Sequence, residues 1–369
     1  MRWERQRVGD AEGSAGSGGA ACDEERTTGR QAQQALLGLS GLVRSVTSPD
    51  FAGVTFHEVR AKSVLNKVAG AARVPFQWTV NPYRGCSHAC VYCFARQSHT
   101  YLEFDAGEDF NSQVVVKVNA PEVLAAQVRR RSWTREHVAM GTNTDPYQRA
   151  EGKYRLMPGI IGALAGSGTP FSILTKGTVL SRDLPLLRSV SAEVPVGLGV
   201  SIALLDRSLQ RGLEPGTPSP QARLDLVRRA SDAGLSCGVF VAPVLPGLTD
   251  SREALDELLA EIAAAGATGA TIIPLHLRPG TREWFASWLA AEHPGLVPRY
   301  RALYGKGSYV SASYRQRLAA RVEPLLRAHG LAPEPGAGER GVPGDERASW
   351  PEGSMPSAGA ARGEQMTLL

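Results

Sequence analysis

Cys86, Cys90 and Cys93 stand in the run Asn81-Pro82-Tyr83-Arg84-Gly85-Cys86-Ser87-His88-Ala89-Cys90-Val91-Tyr92-Cys93. The spacing is C-x3-C-x2-C, with an aromatic residue just before the last thiol. Soft thiolates suit iron–sulfur chemistry. Three of them on one short loop can grip three corners of a cubane [4Fe–4S] cluster, leaving one iron open to a substrate or cofactor. A structural zinc site is the alternative. Such sites close with four ligands, so zinc would have to recruit His88 or His99. The remaining cysteines do not complete the set: Cys22 lies in a low-complexity stretch, and Cys237 precedes an apolar run, Gly238-Val239-Phe240-Val241, that reads as buried strand.

The elements that must position this loop belong to a chain of 369 residues, 43% of them apolar, enough for one large domain with appendages. No apolar run approaches the ~18 residues of a membrane span. The charged opening Met1-Arg2-Trp3-Glu4-Arg5-Gln6 does not read as a signal peptide. Five cysteines, three of them grouped as ligands, fit a reducing cytoplasm better than a disulfide framework. The net charge of +5 allows an anionic partner without requiring one.

Residues 1–50 are expected to be largely flexible, with a small-residue linker at 11–21 and a short helical patch from Ala35 to Val43. From residue 51 to 295, strand-like and helix-like segments alternate. Strands are expected at Trp78–Asn81, Val114–Val118 (an insertion), Val138–Thr144, Phe171–Thr175, Val196–Ala203, Ser236–Leu245 and Ala270–Leu277. Helices are expected at Pro121–Arg131, from near Tyr154, and at Arg182–Val190, Pro220–Ala233, Arg252–Ala265 and Arg282–Ala291. Continuous apolar strands between amphipathic helices indicate an α/β fold with a parallel sheet covered by helices. A doubly wound open sheet is the runner-up, but no G-x-G-x-x-G follows the first strand. Residues 296–330 read as a basic helical extension, and 331–369 as a disordered tail rich in Gly, Pro and Ala.

In parallel barrels chemistry gathers at the carboxyl ends of strands. The polar residues there are Thr142, Asn143 and Thr144, then Thr175-Lys176-Gly177, Ser201, and the run Pro274-Leu275-His276-Leu277-Arg278. Hydroxyls suit a ribose or amino group, and Lys176 suits a carboxylate. Ordinary turn caps would look the same. Tyr147 has a phenol suited to hydrogen relay or simply to packing beside Pro146. Arg96 and His99, just past the cysteines, are substrate-site candidates or the cap of a first helix.

At these residues the chain resembles the radical S-adenosylmethionine (radical SAM) enzymes, whose hallmark is C-x3-C-x2-C with an aromatic at the position of Tyr92. Within them it is similar to the spore photoproduct lyase group, through N-P-Y-R-G-C, T-x-T-D-P-Y-Q, T-K after the third strand, V-S-I after the fourth and P-G-L after the fifth. The resemblance spans roughly residues 56–331. It implies a partial (β/α)6 TIM barrel and a [4Fe–4S] cluster on Cys86, Cys90 and Cys93. It implies S-adenosyl-L-methionine on the open iron, cleaved reductively to a 5′-deoxyadenosyl radical, with a flavodoxin or ferredoxin as electron donor. By position, Tyr92, Thr142 or Thr144, Lys176 and Ser201 would contact S-adenosyl-L-methionine, Lys176 at its carboxylate and Ser201 at its ribose. One departure stands out. The group keeps a hydrogen-donating cysteine just before the second-strand motif, where this chain has Met140, and a thioether has no S–H to donate.

The extension 296–330 carries Arg299, Arg301, Lys306, Arg315, Arg317, Arg321 and Arg327 against Glu323 alone, interleaved with Tyr300, Tyr304, Tyr309 and Tyr314. Basic groups hold phosphates and aromatic rings stack on bases, so a nucleic-acid surface is expected there or, failing that, a solvated arginine-rich helix. Arg129, Arg130 and Arg131 add a second patch. The last residues, Gln365-Met366-Thr367-Leu368-Leu369, resemble the bacterial sliding-clamp-binding peptide. The reading is therefore a cytoplasmic radical enzyme with nucleic acid favoured over a peptide or small-molecule substrate. The rival of another class is a non-catalytic zinc-binding nucleic-acid module.

Overall fold

The computed structural model describes residues 39–68, 74–332 and 350–356. Its strands run β1 (Leu42–Thr47), β2 (Thr55–Val59), β3 (Leu65–Lys67), β4 (Trp78–Val80), β5 (Tyr83–Arg84), β6 (Gln113–Lys117), β7 (Val138–Met140), β8 (Phe171–Thr175), β9 (Val196–Ser201), β10 (Gly238–Val244) and β11 (Gly269–Pro274). One sheet has the order β11-β10-β9-β8-β7-β4-β3. From β4 to β11 its neighbours pair in parallel, and β3 closes the edge antiparallel to β4. Helices between successive strands cover it, giving the partial barrel.

The strands form here because they are apolar on both faces. β10 reads GVFVAPV and buries all but one residue, as a strand sandwiched between barrel interior and helices must. The covering helices start where capping chemistry says they should. Ser219 accepts from the Ala222 N–H ahead of the helix Pro220–Asp232, which has proline in its first turn. Ser251 does the same for Arg252–Ala264 through the Ala254 N–H. Register then aligns the strand ends: Val80 lies opposite Met140, and Thr175 opposite Val200. The residues that follow each strand therefore share one rim.

The insertion strand β6 leaves the barrel for a second sheet, ordered β1-β2-β6-β5. Tyr83 and Arg84 of β5 pair antiparallel with Val116 and Val115, so this sheet fixes the approach to Cys86. Leu42 and Val43, expected in a helical patch, instead open β1. The segment pairs with β2 in a ladder from Leu42↔Val59 to Thr47↔Thr55, and that pairing overrides its helical spacing. The helices Val297–Tyr304 and Ala312–Ala328 follow β11, and the Ala270 N–H is bonded to the Leu331 carbonyl.

Residues 350–356 depart from the expected disordered tail. They fold under the amino ends of β9, β10 and β11. The Trp350 ring packs edge-on to Phe240 at 5.0 Å and to Phe76 at 5.7 Å. The Leu198 N–H donates to the Gly353 carbonyl (2.8 Å), and Thr268 Oγ1 donates to that of Glu352 (2.6 Å). A Cβ on Gly238 would lie 2.7 Å from the Glu352 oxygen, so the glycine makes room for the segment. The small-residue linker 11–21 and the terminal run Gln365–Leu369 lie outside the described residues.

Trp350→Ala should lower stability by roughly 2 kcal/mol, the order for an aromatic side chain taken partly out of water. Urea unfolding checks this, and an unchanged midpoint would show that the segment does not dock.

Candidate active site

The cysteine loop begins after β5 and ends at a 3-10 helix, Phe94–Leu102. Cys86 and Cys90 are buried and Cys93 is partly open; all three thiols are free. Burial raises the Cys90 thiol well above its ordinary range and that of Cys93 to about 11. Thiols in such surroundings become thiolates when a metal supplies the compensating charge, so the donor set fits an iron–sulfur group. Among the described residues, no three His, Cys, Asp or Glu side chains converge on a single metal-ion position.

The loop pairs part of its own backbone, the Ala89 N–H donating to the Cys86 carbonyl and the Cys93 N–H to that of Cys90 (each 3.2 Å), and other parts of the chain hold further groups. The Val91 N–H donates to the Leu213 carbonyl (2.9 Å), and the Gly216 N–H to that of His88 (3.0 Å). A Cβ on Gly216 would sit 1.9 Å from the Ser87 oxygen, so only glycine permits the approach. Gln148 accepts from the Ser87 N–H (3.0 Å) and donates to the Gly85 carbonyl (3.1 Å). Thr144 Oγ1 donates to the Tyr83 carbonyl at 2.9 Å. Asp145 accepts from the Lys176 N–H (2.6 Å) and from Thr175 Oγ1 (2.5 Å), and faces His88 Nδ1 at 3.3 Å. Burial opposes the charge on His88, but Cys86 and Asp145 beside it outweigh that and push it up to about 10.

Arg96, expected at the substrate site, is fully buried beneath the loop. Its guanidinium donates to the carbonyls of Cys90 (3.0 Å), Gly107 (2.8 Å) and Ala106 (3.2 Å) and to Asn111 (3.0 Å). It lies between the rings of Trp284 and Phe110, at 4.7 and 5.2 Å. A planar five-donor fork serves several carbonyls at once, which makes Arg96 a support of the loop. His99 is likewise buried, stacked on Phe104 at 5.1 Å and edge-on to Phe110 at 5.6 Å. Burial lowers its pKa to about 4, so it is a neutral packing ring. Tyr147 also turns inward, donating to Asp183 at 3.0 Å. None of these three expected catalytic residues reaches the rim as a free group.

The expected cofactor residues do converge. Lys176 Nζ donates to Ser201 Oγ (2.6 Å) and lies 5.8 Å over the Tyr92 ring. Ser201 in turn donates to the Ala242 carbonyl (3.2 Å). Thr142 stands half-buried at the same rim, and Thr144 is taken up by its bond to Tyr83. The joining group is Glu214, which sequence reasoning does not single out. Its carboxylate accepts from the Tyr92 hydroxyl and from Arg223 (2.5 Å) and faces Lys176 at 3.4 Å. Arg223 also donates to the Ser201 carbonyl (3.0 Å). Burial would raise the Glu214 pKa, but Arg223, Lys176 and the Tyr92 hydrogen bond prevail and hold it at about 2. Only its place beside Arg223 in the fold marks it, since 122 positions separate it from Tyr92.

A family model for the radical SAM superfamily matches residues 80–259. An uncharacterized protein of Mycobacterium tuberculosis is 58% identical over 332 residues, covering 90% of this chain and 94% of its own. A spore photoproduct lyase complexed with dinucleoside spore photoproduct superposes with a TM-score of 0.57 at 14% identity, over 83% of this chain and 91% of that one. A mutant spore photoproduct lyase with bound AdoMet and the same dinucleoside gives 0.58 at 16% identity, over the same shares. The chain belongs to the radical SAM superfamily and is an enzyme of that class, with the fold of spore photoproduct lyase. The family implies S-adenosylmethionine, an iron–sulfur cluster and a reductant.

The ionised Glu214 carboxylate contributes about 3 kcal/mol to folding. Its folded pKa is depressed, so this contribution is complete above the ordinary 4.5 and lost as pH falls through about 2. Glu214→Gln apoprotein should thus be less stable at pH 7 by about that amount, with the gap closing toward pH 2. Equal stability at pH 7, or a gap constant with pH, would contradict the assignment.

Proposed function

We propose that Cys86, Cys90 and Cys93 hold a [4Fe–4S] cluster and that Tyr92, Thr142, Lys176 and Ser201 receive S-adenosyl-L-methionine beside it. The observation that carries the reading is a three-thiol loop sharing one rim with the Lys176–Ser201–Tyr92–Glu214 group. Once bound, this pair supplies reductive cleavage to a 5′-deoxyadenosyl radical. The protein's part is to hold and to neutralise. Lys176 offers a cation to the methionine carboxylate, and Glu214 aims that ammonium by lying 3.4 Å from it. Ser201, steadied by the Ala242 carbonyl, presents its hydroxyl to the ribose. The thiol spacing supports a cluster over zinc. A structural zinc closes with four protein ligands, whereas a cubane takes each cysteine at a separate iron and keeps one iron for the cofactor.

Nucleic acid is the substrate class we favour. The barrel is similar to one complexed with a dinucleoside, and the net charge of +5 suits a polyanion. The basic extension supports this less than its sequence suggests. Tyr300, Tyr304 and Tyr314 are buried, two of them tied to Leu275 and Asp250, because an amphipathic helix turns its tyrosines to the core. Arg321, Arg315 and Arg327 are spent on Asp250, Val310 and Glu323. Hydrogen return differs from the cysteine route of the spore photoproduct lyase group: Met140 ends β7, and Cys237 is buried before the amino end of β10, opposite the rim. We further propose a flavodoxin or ferredoxin donor, a cytoplasmic setting for the oxygen-sensitive cluster, and clamp docking by Gln365–Leu369. Deleting those five residues should abolish retention on a sliding clamp in a pull-down, and unchanged retention would sink that part.

Anaerobically reconstituted protein with dithionite and S-adenosyl-L-methionine should release 5′-deoxyadenosine, measured by chromatography, and Cys90→Ala should release none. Lys176→Ala should weaken cofactor binding roughly ten- to hundredfold, as for a lost charged hydrogen bond. Cleavage undiminished in Cys90→Ala would overturn the proposal.

A further inference from the structure

The loop after β11 and the loop before the helix Ala312–Ala328 bring four flat groups into one row beside the cysteines. Arg278 lies over the Phe94 ring at 5.3 Å. Phe94 faces His276 at 5.8 Å with 35° between planes, and His276 faces Tyr309 at 5.8 Å with 33°. Phe94 follows Cys93 directly, and Thr281 Oγ1 bonds the Cys93 carbonyl at 2.8 Å. The row is therefore fixed to the cluster loop.

Two features set it apart from core aromatics. Phe94 is 39% exposed and Tyr309 is 49% exposed, whereas the neighbouring tyrosines of the extension are buried. The backbone carrying the row is nevertheless held firmly: the Leu277 N–H donates to the Ser308 carbonyl (2.7 Å), and Tyr304 donates to that of Leu275 (2.6 Å). Burial and Arg278 lower the His276 pKa to about 4, leaving a neutral ring between those of Phe94 and Tyr309. Exposed rings on rigid supports form a stacking platform for bases, and Arg adds a cation–π contact. Two cations flank it, exposed Arg278 at one end and exposed Lys306 three residues before Tyr309.

We propose that Phe94, His276, Tyr309 and Arg278 form a stacking site for a nucleobase of single-stranded nucleic acid, delivering the substrate to the cluster rim. The inference rests on the proposed function and specifies how that site takes its substrate. Splayed bases of a single strand present the faces such a row accepts, and the flanking cations meet its phosphates. Adenine of S-adenosyl-L-methionine offers the same flat chemistry, so the test separates the two sources.

The full-length, reconstituted protein is titrated into a dye-labelled oligothymidylate and into an abasic strand of equal length, with anisotropy as the readout. The wild type should prefer the base-bearing strand at least about fivefold, the weaker end of the stacking range. Phe94→Ala/Tyr309→Ala should bind both strands alike, at the abasic level, while Phe94→Tyr and Tyr309→Phe keep the preference. Saturating S-adenosyl-L-methionine should leave the strand bound. Equal binding of both strands by the wild type, a preference surviving the double alanine variant, or displacement by S-adenosyl-L-methionine would each overturn the proposal. Parallel assay of 5′-deoxyadenosine separates the layers: cleavage without strand preference sinks the stacking site alone. Strand preference without cleavage keeps the stacking site and sinks the radical chemistry.

Discussion

A short loop carrying three thiols satisfies only part of its own backbone, and the architecture around the rim answers that constraint. Buried amide and carbonyl groups without partners cost stability. Here Arg96, Gln148, and Leu213 with Gly216 supply partners from three different parts of the chain. Because those parts also carry the barrel, the sulfur positions are set by the fold rather than by the loop. The second sheet has the same logic, since β5 is pinned to β6 just before Cys86.

The second constraint is electrostatic. Arg223 and Glu214 are both fully buried, and a buried charge left alone is far costlier than a paired one. Their pairing leaves the other Glu214 oxygen to Tyr92 and Lys176. One carboxylate thus links the aromatic of the cysteine motif to the lysine of the third strand end. Lys176 is thereby held in a nearly buried position at the rim, where it can receive a carboxylate.

Much of this could be read from the sequence, for identifiable reasons. Parallel strands buried on both faces are continuous apolar runs, so β8, β9 and β10 stand out; the thiol spacing speaks for itself. Charged and aromatic residues were harder, because type alone does not tell which way they point. Arg96 and His99 look catalytic beside the cysteines, yet the carbonyl-rich loop needs a buried guanidinium and an aromatic box needs a neutral ring. Tyr147 meets Asp183 rather than the rim. Asp145 and Gln148 stand in the T-x-T-D-P-Y-Q motif, but their bonds to Lys176 and to the cysteine loop, like those of Glu214 and Arg223, appear only in the fold. Trp350 sits in a stretch whose composition reads as linker, and only the floor of the barrel explains it.

The central claim is that three cysteines hold a cluster with one iron open to S-adenosyl-L-methionine. Electron paramagnetic resonance of the anaerobically reconstituted, dithionite-reduced protein tests it most directly. The account predicts a signal from a reduced iron–sulfur cluster whose g-values change when S-adenosyl-L-methionine is added, and which Cys90→Ala lacks. A signal indifferent to that addition, or a silent protein carrying zinc on those cysteines, would contradict it.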